Sequence, residues 1–163
     1  MDVKANNVRK VAVEFYRLLR RRNFDTDSFI IIGGAALVLY SLLEKTPDID
    51  ITTDRKSLYR LKKVPFRSCE KTLTLLRVRK NKVDYEIGLP PEFDLVKPWY
   101  VKERIAIEDV FVNVRPRYLL KADCELQVRI VEDIARGIDV EPSVFRAYVK
   151  YKTRLERLSE SNQ

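Results

Sequence analysis

The segment FIIIGGAALVLYSLLEKTPDIDITT, residues 29–53, constrains the fold more than any other part of the chain. It opens with a run of β-branched and aromatic residues, which is typical of a strand buried on both faces. Gly33 and Gly34 follow, although the chain has only four glycines. A stretch of helix formers and then the alternating DIDITT complete the segment. The order predicts a strand, a tight turn, a helix and a second strand.

The rest of the chain continues this mixture of strands and helices. We predict helices over residues 3–22, 34–45, 55–63, 117–137 and 142–158, and strands over 29–33, 48–53, 72–80, 83–89 and 109–114. The two strands that flank Asn81-Lys82 form a hairpin, and residues 90–104 form a proline-bearing loop. This order of elements predicts a mixed sheet with helices packed on it, of the α+β or α/β class.

The residue types that are missing exclude several chemistries. The chain has no histidine, so it offers no imidazole base and no histidine metal ligand. Its two cysteines, Cys69 and Cys124, lack the spacing of a zinc site or a disulfide framework. Any bound metal is therefore expected to be a hard cation with oxygen ligands, Mg²⁺ or Mn²⁺.

Two alternating strands carry pairs of acidic residues. In DIDITT, Asp48 and Asp50 project to one face of the strand while the isoleucines project to the other. In VDYEIG, Asp84 and Glu86 share a face in the same way. If the two strands are neighbours, Asp84 meets Asp48 and Asp50. Three such carboxylates can hold two Mg²⁺ ions about 4 Å apart, the arrangement used for phosphoryl displacement.

The paired glycines indicate a phosphate-binding turn. Gly33 and Gly34 stand where a strand ends and a helix begins. Glycine lets the backbone approach a ligand closely, and a helix start presents free N–H groups with a partial positive charge.

The ordered set IIIGGAAL, DIDI and VDY resembles the nucleotidyltransferase (polymerase-β-like) superfamily, and most of all its small prokaryotic, abortive-infection-type members. The likeness covers roughly residues 28–137. It implies an α+β fold with a palm-type mixed β-sheet flanked by helices and with C-terminal helices. We expect a single domain over residues 1–163, with the nucleotidyltransferase core at 28–90 and a helical part at 115–159.

The resemblance also implies an activity and its cofactors. The enzyme would transfer NMP from an NTP to a hydroxyl of RNA, protein or a small molecule and release pyrophosphate. Asp48, Asp50 and Asp84 would bind two Mg²⁺ or Mn²⁺ ions, and Asp84 would help to deprotonate the attacking hydroxyl. Glu86 is left open as either a working third acid or a surface charge.

The same resemblance assigns phosphate-binding residues, with two departures from the family pattern. Gly33 and Gly34 would cradle the NTP triphosphate, although the family often has a serine where this chain has Gly34. Lys45 stands where the subgroup often has an arginine, and it would contact the nucleotide.

The positive charge is concentrated in one segment. Between Arg55 and Lys82, eleven basic residues stand against one acidic residue, Glu70, whereas the whole chain carries only +8. Such a segment attracts polyanions such as RNA. One alternative function is therefore a catalytically silent module that binds nucleic acid or a partner protein, as in toxin–antitoxin pairs. A Mg²⁺-dependent nuclease that uses the same acids is another.

The chain shows no sign of a membrane or secretory segment. No apolar run approaches the ~20 residues that span a bilayer, and the start MDVKANNVRK lacks the apolar core of a signal peptide. We expect a cytoplasmic protein without a membrane partner. The abundance of Lys, Arg and Glu favours a thermophile.

Overall fold

The computed structural model describes residues 2–90, 98–136 and 141–160, and these fall into two compact units. The first unit holds residues 2–90 and 98–115, and the second holds residues 116–136 and 141–160. The grouping of both units into one domain over residues 1–163 stays a prediction.

A seven-stranded mixed sheet forms the centre of the first unit. Its strands are β2 (Phe29–Ile32), β4 (Ile49–Thr53), β5 (Cys69–Lys71), β6 (Leu75–Lys80), β7 (Val83–Gly88), β8 (Glu103–Ile107) and β9 (Val110–Val114). Their spatial order is β5-β6-β7-β4-β2-β9-β8. The pairs β4–β7 and β2–β9 are parallel, and the other neighbours are antiparallel. Two further strands, β1 (Val3–Lys4) and β3 (Lys45–Thr46), form a separate antiparallel pair.

Three helices belong to the same unit: α1 (Ala5–Arg21), α2 (Gly33–Leu39) and α3 (Arg55–Leu61). Helix α1 buries an apolar face that includes Val8, Val11 and Leu19. Phe15 on this face packs edge-to-face against Phe29 of β2, with ring centroids 5.9 Å apart. Each such side chain contributes roughly 1.5–3 kcal/mol when it is removed from water, which fixes α1 on the sheet.

The predicted hairpin over residues 72–89 is confirmed. Asn81 and Lys82 have φ angles of 54° and 65°, as the two central residues of a type I′ turn require. Strand β7 alternates as predicted, because Val83, Tyr85 and Ile87 are buried while the residues between them point to the other face.

The predicted end of helix α2 at Lys45 is wrong, because the helix ends at Leu39. Ser41 has a φ of 62°, its N–H donates to the carbonyl of Val38, and the N–H of Leu42 donates to that of Leu37. This is the Schellman pattern, which stops a helix even where helix formers continue. Lys45 and Thr46 pair instead with Lys4 and Val3 in the small sheet.

Two strands of the main sheet were not predicted. Strand β5 has no buried residue, so its sequence carries no apolar alternation. Strand β8 begins at Glu103 within the predicted loop 90–104, of which residues 91–97 lie outside the described part.

The second unit consists of α4 (Arg117–Ala135) and α5 (Pro142–Glu160), which pack against each other. Both follow the predicted helices closely, and Gly137, the predicted stop of the first, lies outside the described residues. The α+β fold class with a mixed sheet and C-terminal helices is confirmed.

Candidate active site

Three acidic side chains converge in the first unit. The carboxylates of Asp48, Asp50 and Glu86 each offer an oxygen, and these atoms lie within 4.8 Å of one another. All three residues are half-buried. Within residues 2–90, 98–136 and 141–160, no other group of three acidic or cysteine residues is close enough to hold a metal ion. We call this group the acid cluster.

Strand pairing sets this arrangement. Asp50 of β4 stands opposite Glu86 of the parallel strand β7, and Asp48 comes just before β4. Ile49 and Ile51 alternate with the aspartates and are buried. Because apolar residues fix which face of β4 is inside, the carboxylates are turned to the opposite face.

The predicted third ligand, Asp84, is not a member of the acid cluster. It lies on the same face of β7 as Glu86 but two residues earlier, and its side chain is 56% exposed. One of its oxygens is 3.7 Å from Nη1 of Arg79. The structure thus brings Asp48 and Asp50 together with Glu86, the acid whose role the sequence did not decide. The metal-binding role of Asp84 stays a prediction.

Gly33 lies directly beside the acid cluster. Its φ is +62°, a backbone conformation that side-chain-bearing residues rarely adopt. A Cβ atom added at this position would lie 3.3 Å from Oδ2 of Asp50. The preceding residue, Ile32, stands opposite Asp50 in the sheet, so the glycine turn and the acids meet at one place. Gly34 follows as a buried residue of α2.

Sequence reasoning missed Arg77 as a neighbour of the cluster. Its Nε atom is 2.7 Å from Oε1 of Glu86. The signal was present, because a two-residue turn at Asn81-Lys82 pairs Lys80 with Val83 and, by counting back, Arg77 with Glu86.

A second residue that was not singled out is Thr52. It is 4% exposed, and its Oγ1 atom makes no hydrogen bond to the residues that the structure describes. It lies two positions after Asp50 along β4, so both side chains leave the strand on the same face.

The predicted nucleotide contact Lys45 lies on the small sheet. Its side chain is 63% exposed, and Nζ is 3.4 Å from Oδ2 of Asp2. Its contact with a nucleotide stays a prediction.

The donor set of the acid cluster fits Mg²⁺ or Mn²⁺. It contains carboxylate oxygens alone, which are the ligands that these hard cations prefer. Three neighbouring carboxylates repel one another unless positive charge is supplied. Because Gly33 has no side chain, the position 3.3 Å from Oδ2 of Asp50 that a Cβ atom would take is left free.

The basic segment between Arg55 and Lys82 is largely exposed. Arg55, Lys56 and Arg60 of α3 are exposed, as are Arg77 and Arg79 of β6. The two β6 arginines pair with acids of β7, whereas the guanidinium of Arg60 on α3 lies over the ring of Phe24, 4.4 Å from its centroid. The segment therefore presents positive charge on both a helix and a sheet.

Comparison with known proteins agrees with this fold. No protein-family model matches the sequence, and no curated protein matches it either. A crystal structure of an antigenic nucleotidyltransferase-like protein from Paracoccidioides brasiliensis superposes with a TM-score of 0.57 at 17% identity, over 93% of this chain and 78% of that one. A candidate nucleotidyltransferase from Thermotoga maritima superposes less well, with a TM-score of 0.49 at 18% identity, over 76% and 91% of the two chains.

The chain thus has the nucleotidyltransferase-like fold that the resemblance implied. No helix in the described part of the chain is both long and apolar enough to cross a membrane.

Proposed function

We propose that this protein is a Mg²⁺-dependent nucleotidyltransferase that moves NMP from an NTP to a hydroxyl acceptor. The acid cluster beside the Gly33 turn, in a nucleotidyltransferase-like fold, is the observation that supports this function best. A fold hosts many activities, so the activity is argued here from the site.

Asp48, Asp50 and Glu86 are the residues that would hold the two Mg²⁺ or Mn²⁺ ions. When bound, such ions neutralise the phosphates and lower the pKa of the attacking hydroxyl. Glu86 takes the role that the resemblance gave to a third acid, because it stands opposite Asp50 in the sheet. The predicted roles of Asp84 in metal binding and of Lys45 in contacting the nucleotide stay predictions.

In this reaction the acceptor oxygen forms a bond to the α-phosphorus of the NTP. The bond from that phosphorus to the bridging oxygen breaks, and pyrophosphate leaves. The chain's own part is to position the triphosphate at Gly33 and Gly34, where backbone N–H groups at the start of α2 can donate to it. The carboxylate of Glu86 would accept the proton of the acceptor hydroxyl. The acceptor would lie near the basic segment.

The test is label transfer from NTPs radiolabelled at the α-phosphate, with Mg²⁺ and with tRNA or cell lysate as the acceptor. We expect transfer by the wild type and loss of at least about 100-fold in Asp48→Asn/Asp50→Asn and in Glu86→Gln, because metal ligands of this kind contribute several kcal/mol to the transition state. Asp84→Asn removes an acid from the same face of β7 outside the cluster, so it decides which acid is the third ligand: a loss in Asp84→Asn in place of Glu86→Gln would assign that role to Asp84. Absent transfer, or equal transfer by the cluster variants, would contradict the proposal.

A second candidate function is a silent module that binds nucleic acid through the basic segment. Its support is the exposed charge of α3, where Tyr59 is also 62% exposed beside Lys63. Aromatic and basic side chains together form a surface that suits single-stranded nucleic acid. This function predicts RNA binding that falls steeply with salt and is unchanged by Mg²⁺ or by Asp48→Asn/Asp50→Asn. Cleavage of the RNA with no NTP present would instead support a nuclease.

A further inference from the structure

Arg77 lies between two carboxylates on one face of the sheet. In the antiparallel strands on either side of β6, it stands opposite Glu86 of β7 and opposite Glu70 of β5. Directly opposed side chains in such strands have Cβ atoms about 4.5–5.5 Å apart, so both acids are within reach. Arg77 pairs with Glu86, at 2.7 Å, and Glu70 has no ion pair with any residue that the structure describes.

The pair Arg77–Glu86 differs from its neighbour Arg79–Asp84. Both pairs are cross-strand partners in the same hairpin. Glu86 belongs to the acid cluster and is 31% exposed, whereas Asp84 lies outside the cluster and is 56% exposed. Arg77 therefore neutralises a carboxylate of the cluster, and Arg79 neutralises one that is not part of it.

A cation bound to Glu86 would weaken the ion pair between Glu86 and Arg77. The guanidinium and the cation are both positive, and at this range they repel each other. The side chain of Arg77 is 56% exposed, so it is free to rotate away. Glu70, on the other side of the same strand, is the acid that can receive it.

We propose that Arg77 is the internal counter-ion of the acid cluster. It holds Glu86 in the cation-free protein and moves to Glu70 when a divalent cation binds the cluster. Arg77 thereby lowers the affinity of the cluster for divalent cations and keeps the three carboxylates together before a cation arrives. This inference rests on the cation site proposed above and adds a residue that controls its affinity.

The test is Mn²⁺ binding to the full chain without nucleotide, followed by the electron paramagnetic resonance signal of free Mn²⁺. We expect Arg77→Gln to bind Mn²⁺ about two- to five-fold more tightly than the wild type, the range of an exposed ion pair. Arg79→Gln is the matched control, because it removes the same charge from the same face of β6, and we expect it to leave the affinity unchanged.

Three results would overturn the inference. Weaker Mn²⁺ binding by Arg77→Gln would mean that Arg77 positions Glu86 for the cation rather than competing with it. Unchanged binding would mean that the contact has no effect on the cluster. An equal gain in Mn²⁺ affinity in Arg79→Gln would mean that the affinity depends on the net charge of the protein rather than on the contact between Arg77 and Glu86.

The move to Glu70 has its own readout, the ¹⁵N–¹H signal of the Arg77 Nε group. Added Mg²⁺ should shift this signal in the wild type. Glu70→Gln should change the signal of the Mg²⁺-bound protein and leave that of the cation-free protein unchanged. The same signal in both proteins with Mg²⁺ would refute the move.

These measurements separate this inference from the proposed function. Tighter Mn²⁺ binding by Arg77→Gln together with absent label transfer would support the role of Arg77 and contradict the transferase. Absent Mn²⁺ binding by both the wild type and Arg77→Gln would overturn the cation site and this inference together.

Discussion

Asp50 and Glu86 stand opposite each other on the parallel strands β4 and β7, in the interior of a seven-stranded sheet. Their separation is therefore set by backbone pairing and by the buried residues that alternate with them, rather than by a loop. A site on rigid strands keeps its geometry before the ligand arrives, which reduces the free energy that binding must spend on ordering.

Gly33 should resist substitution for two separate reasons. In Gly33→Ala, the left-handed backbone costs about 1–2 kcal/mol, and the new Cβ crowds Oδ2 of Asp50. We expect a lower free energy of unfolding in urea and weaker Mn²⁺ binding. Gly33→Asn separates the two causes, because asparagine adopts this backbone conformation more readily, so the loss of Mn²⁺ binding should remain while stability partly recovers. Wild-type stability and binding in both variants would contradict this account.

The hydroxyl of Tyr16 joins α1 to the strand that leads to Gly33. It donates to the carbonyl of Phe29 at 2.6 Å, and burial raises the pKa of Tyr16, which keeps it a donor. We expect Tyr16→Phe to lower the free energy of unfolding by about 0.5–1.5 kcal/mol, since one buried hydrogen bond is lost while Nδ2 of Asn113 still donates to the carbonyl of Phe29. Tyr59→Phe is the control, because Tyr59 is exposed and should change stability by less than about 0.5 kcal/mol. Equal effects of the two substitutions would refute the assignment.

Asp109 should contribute to the acid sensitivity of the fold. Hydrogen bonds from Arg17 and Arg20 lower the pKa of Asp109 below its ordinary value of 3.8. Its contribution to stability is therefore present above pH 3.8 and is lost as the pH falls through the lowered pKa. The midpoint of thermal unfolding should fall less steeply in this acidic window for Asp109→Asn than for the wild type. In an Arg17→Gln/Arg20→Gln background the same substitution should make no difference, and a persisting difference would contradict the pairing.

The two cysteines should differ in reactivity. Burial raises the pKa of the Cys124 thiol to about 11, whereas Cys69 is exposed. Thiolate is the reactive form, so a thiol reagent at mildly alkaline pH should modify Cys69 quickly and Cys124 slowly. Cys69→Ser should remove the fast phase and leave the slow one. A fast phase that survives Cys69→Ser would show that Cys124 is accessible in the folded protein.

Local patterns in the sequence predicted much of the sheet. DIDITT and VDYEIG alternate strictly, and the buried isoleucines of β4 fix which way its acids point. The hairpin turn at Asn81-Lys82 was also a local signal. The end of α2 has no such local signal. Leu42 and Glu44 favour helix, and the positive φ of Ser41 depends on the folded chain.

The choice between Asp84 and Glu86 shows where local patterns stop. Both residues share one face of β7, so alternation cannot separate them. The register of β7 against β4 separates them, and that register arises from contacts between strands distant in sequence. Strand β8 was missed for a related reason, since Glu103 and Arg104 resemble loop residues until β9 pairs with them.

The most direct test of the acid cluster is a crystal structure with Mn²⁺ and a nonhydrolysable NTP, in which anomalous scattering locates the ions. We expect Mn²⁺ peaks in contact with the carboxylates of Asp48, Asp50 and Glu86, and the triphosphate at Gly33 and Gly34. Peaks that contact Asp84 and not Glu86 would contradict the assignment of the third ligand. A cluster with no Mn²⁺ and no triphosphate at concentrations that saturate related sites would contradict the transferase and favour the nucleic-acid-binding module.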